Sequence, residues 1–351
     1  MNAIQLLEAL VNIPSVSGHE RALADFLCDL LGREGFDVQR EGDSIWFTLG
    51  SGRPHLLLVS HLDTVPPCRG WTGDPFRLRF DGEKLIGLGA NDAKASVAAM
   101  ILAARALRRT RLKGSATWAF VVEEERGGDG IRAVKPKLGA IDAAIIGEPT
   151  LLEVCNAQRG MLILRCVAHG ESGHVAHARF GQNAIHKAAR DIERLSSMTF
   201  EPHPLLGETR PQVTQINGGL ARNQVPDRCE FFVDLRTTPN LDHVRLAAQI
   251  SSALESEVIV QSDRYVSVAT DESEAIVQAA LAAAGKSQGV GSVTTSDWAF
   301  LREIPAVKVG PGDTRRSHQP DEFLLAWELE AGAEFFQAAA KHYFEVEHVH
   351  V

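Results

Sequence analysis

Five short segments of this chain carry His, Asp and Glu at spacings that suit metal binding and proton transfer. They are Ser60-His61-Leu62-Asp63, Asn91-Asp92, Glu123-Glu124-Glu125, Gly147-Glu148-Pro149 and Ser317-His318. His61 and Asp63 stand two apart at the end of an apolar run, so a strand puts both side chains on one face. A ligating imidazole needs an acceptor for its other ring nitrogen, and Asp63 is placed to provide one. The plainer alternative is a pair of ordinary polar residues at a strand end. Asp92 fills the third glycine position after Gly87-Leu88-Gly89, which removes a dinucleotide-binding reading. It is either a helix N-cap or a carboxylate fixed at a sheet–helix junction. The adjacent carboxylates of Glu123, Glu124 and Glu125 repel one another unless a cation or a proton intervenes. A solvated acidic turn would relieve them, but this run closes a buried strand.

Taken together, His61, Asp92, Glu125, Glu148 and His318 form a nitrogen and oxygen donor set without sulfur. Such a set suits Zn²⁺, with Co²⁺ or Mn²⁺ as substitutes. Two Zn²⁺ bring four positive charges. Asp92, Glu125 and Glu148 bring three negative charges, and a bridging hydroxide brings the fourth. Glu124 is left over to act as base on the attacking water, while paired cations polarise a substrate carbonyl.

The elements that must position these residues are legible as patterns. Residues 55–60 (HLLLVS), 115–122 (SATWAFVV) and 141–147 (IDAAIIG) are short apolar runs, as in strands buried on both faces of a mostly parallel sheet. Between them lie helical spacings at 19–33, opened by a capping box of Ser17 and Glu20, and at 92–108. This alternation predicts an α/β fold, and open sheets of that kind hold ligands at the carboxyl ends of their strands. The middle of the chain changes to strand 161–168, helix 182–198, strands 211–217 and 227–236, helix 241–255 and strand 257–261. That β-α-β-β-α-β order predicts an α+β domain inserted at 160–266. Helix 272–284, strand 305–309 and helix 323–342 then return to the first domain, which is built from 1–159 and 267–351.

Lys and Arg number 36 against 45 Asp and Glu, a formal charge of −9. The deficit of cations argues against nucleic acid as a partner and against a polybasic membrane anchor. No apolar run approaches the length of a membrane span, and no signal peptide is read at the N-terminus. Cys28, Cys68, Cys155, Cys166 and Cys229 are odd in number and scattered, which fits reduced thiols in a cytoplasmic protein.

On these motifs the chain resembles the dinuclear-zinc aminoacylase and carboxypeptidase family, which includes acetylornithine deacetylase, succinyl-diaminopimelate desuccinylase and carboxypeptidase G. The matches are S-H-x-D-x-V-P at 60–66, G-x-G-x-x-D-x-K at 87–94, D-E-E-x-G at 123–127 with Glu123 for Asp, G-E-P-[ST] at 147–150 and H-x-P-[DN]-E at 318–322. The resemblance implies one zinc on His61, Asp92 and Glu148, and another on Asp92, Glu125 and His318, two Zn²⁺ per subunit. It implies Asp63 as the partner of His61, Glu124 as general base and then acid, and a cis peptide after Asp92. Gly173-His174 with Gly181-Gln182-Asn183-Ala184-Ile185 resembles the family's lid motif, so His174 would reach a partner subunit's site and steady the oxyanion. The inserted domain would thus be a lid and dimerisation domain, and the protein a homodimer. Arg236, Asn223 and Ser296 match positions of the family's substrate-binding regions. A guanidinium fork fits a substrate carboxylate, although a structural salt bridge explains Arg236 equally well.

The implied activity is hydrolysis of the amide of an N-acyl amino acid, N-acetylornithine first, with N-acetylcitrulline or N-acetyl-lysine as close alternatives. Arg222, Arg315 and Arg316 could take a second acidic group. That keeps open a desuccinylase, a dipeptidase, or release of lysine or ornithine from an acidic amino-group carrier protein. A serine hydrolase is a rival class, because Gly285-Lys286-Ser287-Gln288-Gly289 fits G-x-S-x-G. That motif needs a strand before the serine, and here a helix is predicted instead.

Overall fold

The computed structural model describes residues 1–177 and 183–346. The chain divides into two compact units: Met1–Asn156 with Ala269–Val290 and Ser296–Val351, and Ala157–Val268 with Gly291–Thr295.

The first unit is built on a mixed sheet. Strand His55–His61 lies at its centre, parallel to Ser115–Val121 on one side and to Ala143–Ile146 on the other. Ala306–Lys308 continues the parallel order beside Ala143–Ile146. Antiparallel strands Ser44–Gly50 and Gln39–Glu41 close one side. Leu56, Leu57, Leu58 and Val59 are all fully buried, so both faces of the central strand are covered, which accounts for its unbroken apolar run. Helix Lys94–Leu107 owes its depth to its alanines. Small side chains let it pack closely, and it lies against the long helix Ala326–Val346.

Two sequence expectations fail here for physical reasons. The capping box of Ser17 and Glu20 does not form: the helix spans Arg21–Arg33 with no side-chain cap. Ser17 Oγ donates instead to the buried Asp63 carboxylate at 2.7 Å. Glu20 accepts from Gly18 N and, at 3.2 Å, from Glu123 N. A buried charge claims the nearest donor ahead of a solvent-exposed helix end. The start of the segment at 323 is also not helical. Phe323–Leu325 is a strand paired with Lys84–Ile86, and the helix begins at Ala326.

The second unit has a four-stranded antiparallel sheet in the order Pro211–Gly218, Arg228–Thr237, Gly160–His169, Glu257–Tyr265. Helices Ala184–Ser197 and His243–Ala253 pack on it around Leu162, Leu164, Phe231 and Val233. Gly181 and Gln182 of the lid motif lie outside the described residues. No helix among the described residues is long and apolar enough to cross a membrane. All five cysteines are free.

Candidate metal centre

The parallel strands of the first unit end side by side, and each is followed by site residues. His61 is the last residue of its strand and is 2% exposed. Its Nδ1 lies 2.9 Å from the Asp63 carbonyl oxygen, which can only accept, so Nδ1 carries the proton. Nε2 then faces Asp92 Oδ1 at 3.2 Å and Glu148 Oε1 at 4.0 Å. The Asp63 carboxylate stands 3.5 Å from Nδ1. It also accepts from Ser17 Oγ and, at 3.1 Å each, from the backbone N–H groups of Glu124 and Glu125. Charge-assisted bonds of this kind are worth about 1.5–3 kcal/mol each. Asp63 therefore fixes the acidic turn as firmly as it fixes His61.

That turn is a 3₁₀ segment, Glu124–Arg126, entered through Glu123 at φ 57° and left through Gly127 and Gly128. A Cβ on Gly128 would stand 2.1 Å from Phe300 Cε2, so glycine is required for the turn to close against the following segment. The turn buries Glu124 and directs Glu125 to His318, whose Nε2 lies 2.8 Å from Glu125 Oε1 and 3.8 Å from Asp92 Oδ2. The Asp92–Ala93 peptide is cis. Asp92 is not a helix N-cap, since that position falls to Ala93.

Among the described residues three groups of side chains could each hold a metal ion: His61 with Asp92 and Glu148, Asp92 with Glu125 and His318, and His61 with Glu124 and Glu125. Asp92 belongs to the first two. The charges show what this cluster suits. Burial and the carboxylates of Asp92 and Glu125 push Glu148 up to about 7. Burial, with Glu148, Asp297 and Glu125 nearby, holds Glu124 well above the carboxylate range. Burial alone would lower His61, yet Asp63, Asp92 and Glu148 hold it well above its ordinary value. The bond to Glu125 lifts His318 to about 9. The site thus gathers protons to offset its own negative charge, and divalent cations supply the same charge. Two imidazoles and four carboxylates, without sulfur, fit that role.

The sequence profile of peptidase family M20/M25/M40 matches residues 57–342. The chain belongs to this family. It is therefore a metal-dependent hydrolase acting on amides. Among curated relatives it is 32% identical to an acetylornithine deacetylase of Proteus mirabilis over 92% of this chain and 91% of that one. It is 30% identical to a succinyl-diaminopimelate desuccinylase of Xanthomonas oryzae pv. oryzae over 92% and 93%. Its fold matches aminopeptidase PepT of Bacillus cereus with a TM-score of 0.82 at 20% identity, covering 97% of this chain and 98% of that one. A dinuclear metal binding peptidase of the M20 family from Bacillus subtilis matches with a TM-score of 0.75 at 19% identity, covering 96% of each chain.

The other site residues named from the M20 motifs are placed as follows. In the second unit, Gly173–His174 forms a short antiparallel pair with Gln224–Val225. Val175 N donates to the Asn223 carbonyl at 3.2 Å, so His174 and Asn223 share one exposed patch. Arg236 is bonded through Nε and Nη2 to Asp234 at 2.9 and 3.2 Å, two residues back on its own strand. Ser296 is fully buried, and its hydroxyl caps the 3₁₀ turn Asp297–Leu301 at Trp298 N. Arg315 pairs with Asp313, and Arg316 with Glu328, each at 2.7 Å. Ser287 stands in the bend between helix Ala275–Ala284 and strand Val290–Ser292, a helix-to-strand order that makes no nucleophile elbow.

Several residues at the centre have no place in a motif-based reading. Lys308 is buried on its strand, and its pKa is lowered by burial, with Glu148 opposing. A lone cation in the run PAVKV was the available signal. Asn91 and Glu322 lie inside matched motifs, but spacing alone gives neither a role.

Proposed function

We propose that this enzyme hydrolyses the amide of an N-acyl amino acid, with N-acetylornithine as the foremost substrate. Its place is then in arginine biosynthesis in the cytoplasm. The reading includes two Zn²⁺ per subunit, on His61, Asp92 and Glu148 and on Asp92, Glu125 and His318. It also includes a homodimer formed through the second unit. Cations at these positions supply the positive charge that polarises the amide carbonyl and acidifies water.

The observation that carries the reading is the placement of Glu124, a buried carboxyl grouped with His61 of one triad and Glu125 of the other. Its carboxylate takes a proton from the attacking water as the new C–O bond forms. It returns that proton to the amine nitrogen as the C–N bond breaks, giving acetate and ornithine. Asp63 holds the turn that aims it. The kinship with an acetylornithine deacetylase supports the choice of substrate. The pairing of Arg315 with Asp313 and of Arg316 with Glu328 favours it further, because two cations that would greet a second acidic group are already bonded.

The test is a panel of acetylornithine, acetylcitrulline, acetyl-lysine and succinyl-diaminopimelate with zinc-loaded enzyme. The highest kcat/KM is expected for acetylornithine. A preference for the succinyl compound would replace this reading with the desuccinylase. In the same assay His174→Ala should lower kcat by about 10²–10³-fold with metal content unchanged, the scale of one lost oxyanion donor. An unaltered kcat would remove His174 from the reaction.

A further inference from the structure

The segment carrying Asp92 is gripped on two sides by the segment that carries His318. Asn91 is fully buried, and its side-chain amide is used at both ends. Oδ1 accepts from Asp313 N at 2.9 Å. Nδ2 donates to the Asp313 carbonyl and to Ser317 Oγ, both at 3.1 Å. Ser317 directly precedes His318 in the chain. On the other side, Glu322 Oε1 accepts from the backbone N–H groups of Asn91 and Asp92, each at 2.9 Å. His318 thus sits in a loop whose two ends are both tied to residues 91 and 92. The fit is close: a Cβ on Gly312 would stand 2.3 Å from Asn91 Oδ1.

We propose that Asn91 is a positioning residue for the cation held by Asp92, Glu125 and His318, setting through Asp313 and Ser317 where the imidazole and the shared carboxylate stand relative to each other. This rests on the metal-centre reading above. His61 and Glu148 make no bond to this amide, so the two cation positions should respond differently to its loss. Outer hydrogen-bond partners of this kind typically change metal affinity 10–100-fold when removed.

The experiment is titration of the metal-free full-length protein with Co²⁺, followed by calorimetry and by the visible absorption of the bound ion. Wild type, Asn91→Ala and Ser317→Ala are compared, with circular dichroism as the check on folding. Wild type is expected to bind two equivalents. Asn91→Ala should bind one equivalent with near wild-type affinity and the other about 10–100-fold more weakly. Ser317→Ala, which keeps the loop's backbone bonds to Asn91, should show a smaller loss at the same equivalent. If Asn91→Ala does not fold, Ser317→Ala decides alone. Two equivalents bound as in wild type, or equal weakening of both, would overturn the proposal while leaving the metal-centre reading intact. Failure of wild type itself to bind two equivalents would overturn both.

Discussion

Glu124→Gln should keep both cations and lose about 10²–10⁴-fold in kcat, the range that a positioned general base contributes. The amide of Gln is close in size to the carboxyl it replaces and cannot accept the proton. Neither metal triad through Asp92 includes Glu124, so metal content should not change. The backbone of the turn is held by Asp63 through the N–H groups of residues 124 and 125, which this substitution leaves in place. The Gln variant also relieves repulsion among buried carboxylates, so its melting temperature should equal or exceed that of wild type. Turnover within tenfold of wild type, with two metal equivalents present, would reject Glu124 as the base.

Chelation should abolish turnover, by at least about a thousandfold, since cation stabilisation of the transition state is worth several kcal/mol. Its effect on stability should depend on pH in a defined sense. In the metal-free protein Glu148 is pushed up to about 7 from an ordinary 4.5 by burial and its acidic neighbours. Glu322 is likewise raised to about 8. Between pH 5 and 7 the folded state then binds more protons than the unfolded chain, so the metal-free melting temperature should fall as pH rises. Asp63 and Asp92, whose pKa values are lowered, are already ionised in this window. Metal binding needs Glu148 and His318 deprotonated, so the gap between loaded and chelated protein should widen from pH 5 to 7. Melting curves with and without chelator test both claims. A gap that narrows toward pH 7 would show that the carboxylates are not the ligands.

Much of the catalytic unit was legible because its strands are buried on both faces. A run such as HLLLVS has few other uses, and the residue that ends it must face the crevice. Four of the five ligand candidates stand out for the same reason: His61, Glu125 and Glu148 end or closely follow an apolar run, and Asp92 opens an Ala-rich helical pattern, whereas His318 lies in a loop and stands out only through the H-x-P-[DN]-E motif. What spacing could not show is which polar atom meets which. Ser17 and Glu20 fit a capping box by type and interval, yet Asp63 and the acidic turn claim them. Arg236 fits a carboxylate-binding role by type, yet its nearest carboxylate is Asp234 on its own strand. Asn91 had no visible signal, because its partners lie more than 200 positions further along the chain.

The bond between His318 and Glu125 spans 193 positions of the chain. At a ribosomal speed of about 5–20 residues per second, that separation is roughly 10–40 s of synthesis. His61, Asp92 and Glu148 have all been made before the second unit begins. The triad they form is therefore complete in composition while its neighbour still lacks its imidazole. A nascent chain that captured one cation early would hold Asp92 in place before the loop at 313–322 arrived to grip it. The interruption of the catalytic unit thus gives the two halves of the centre different birth times.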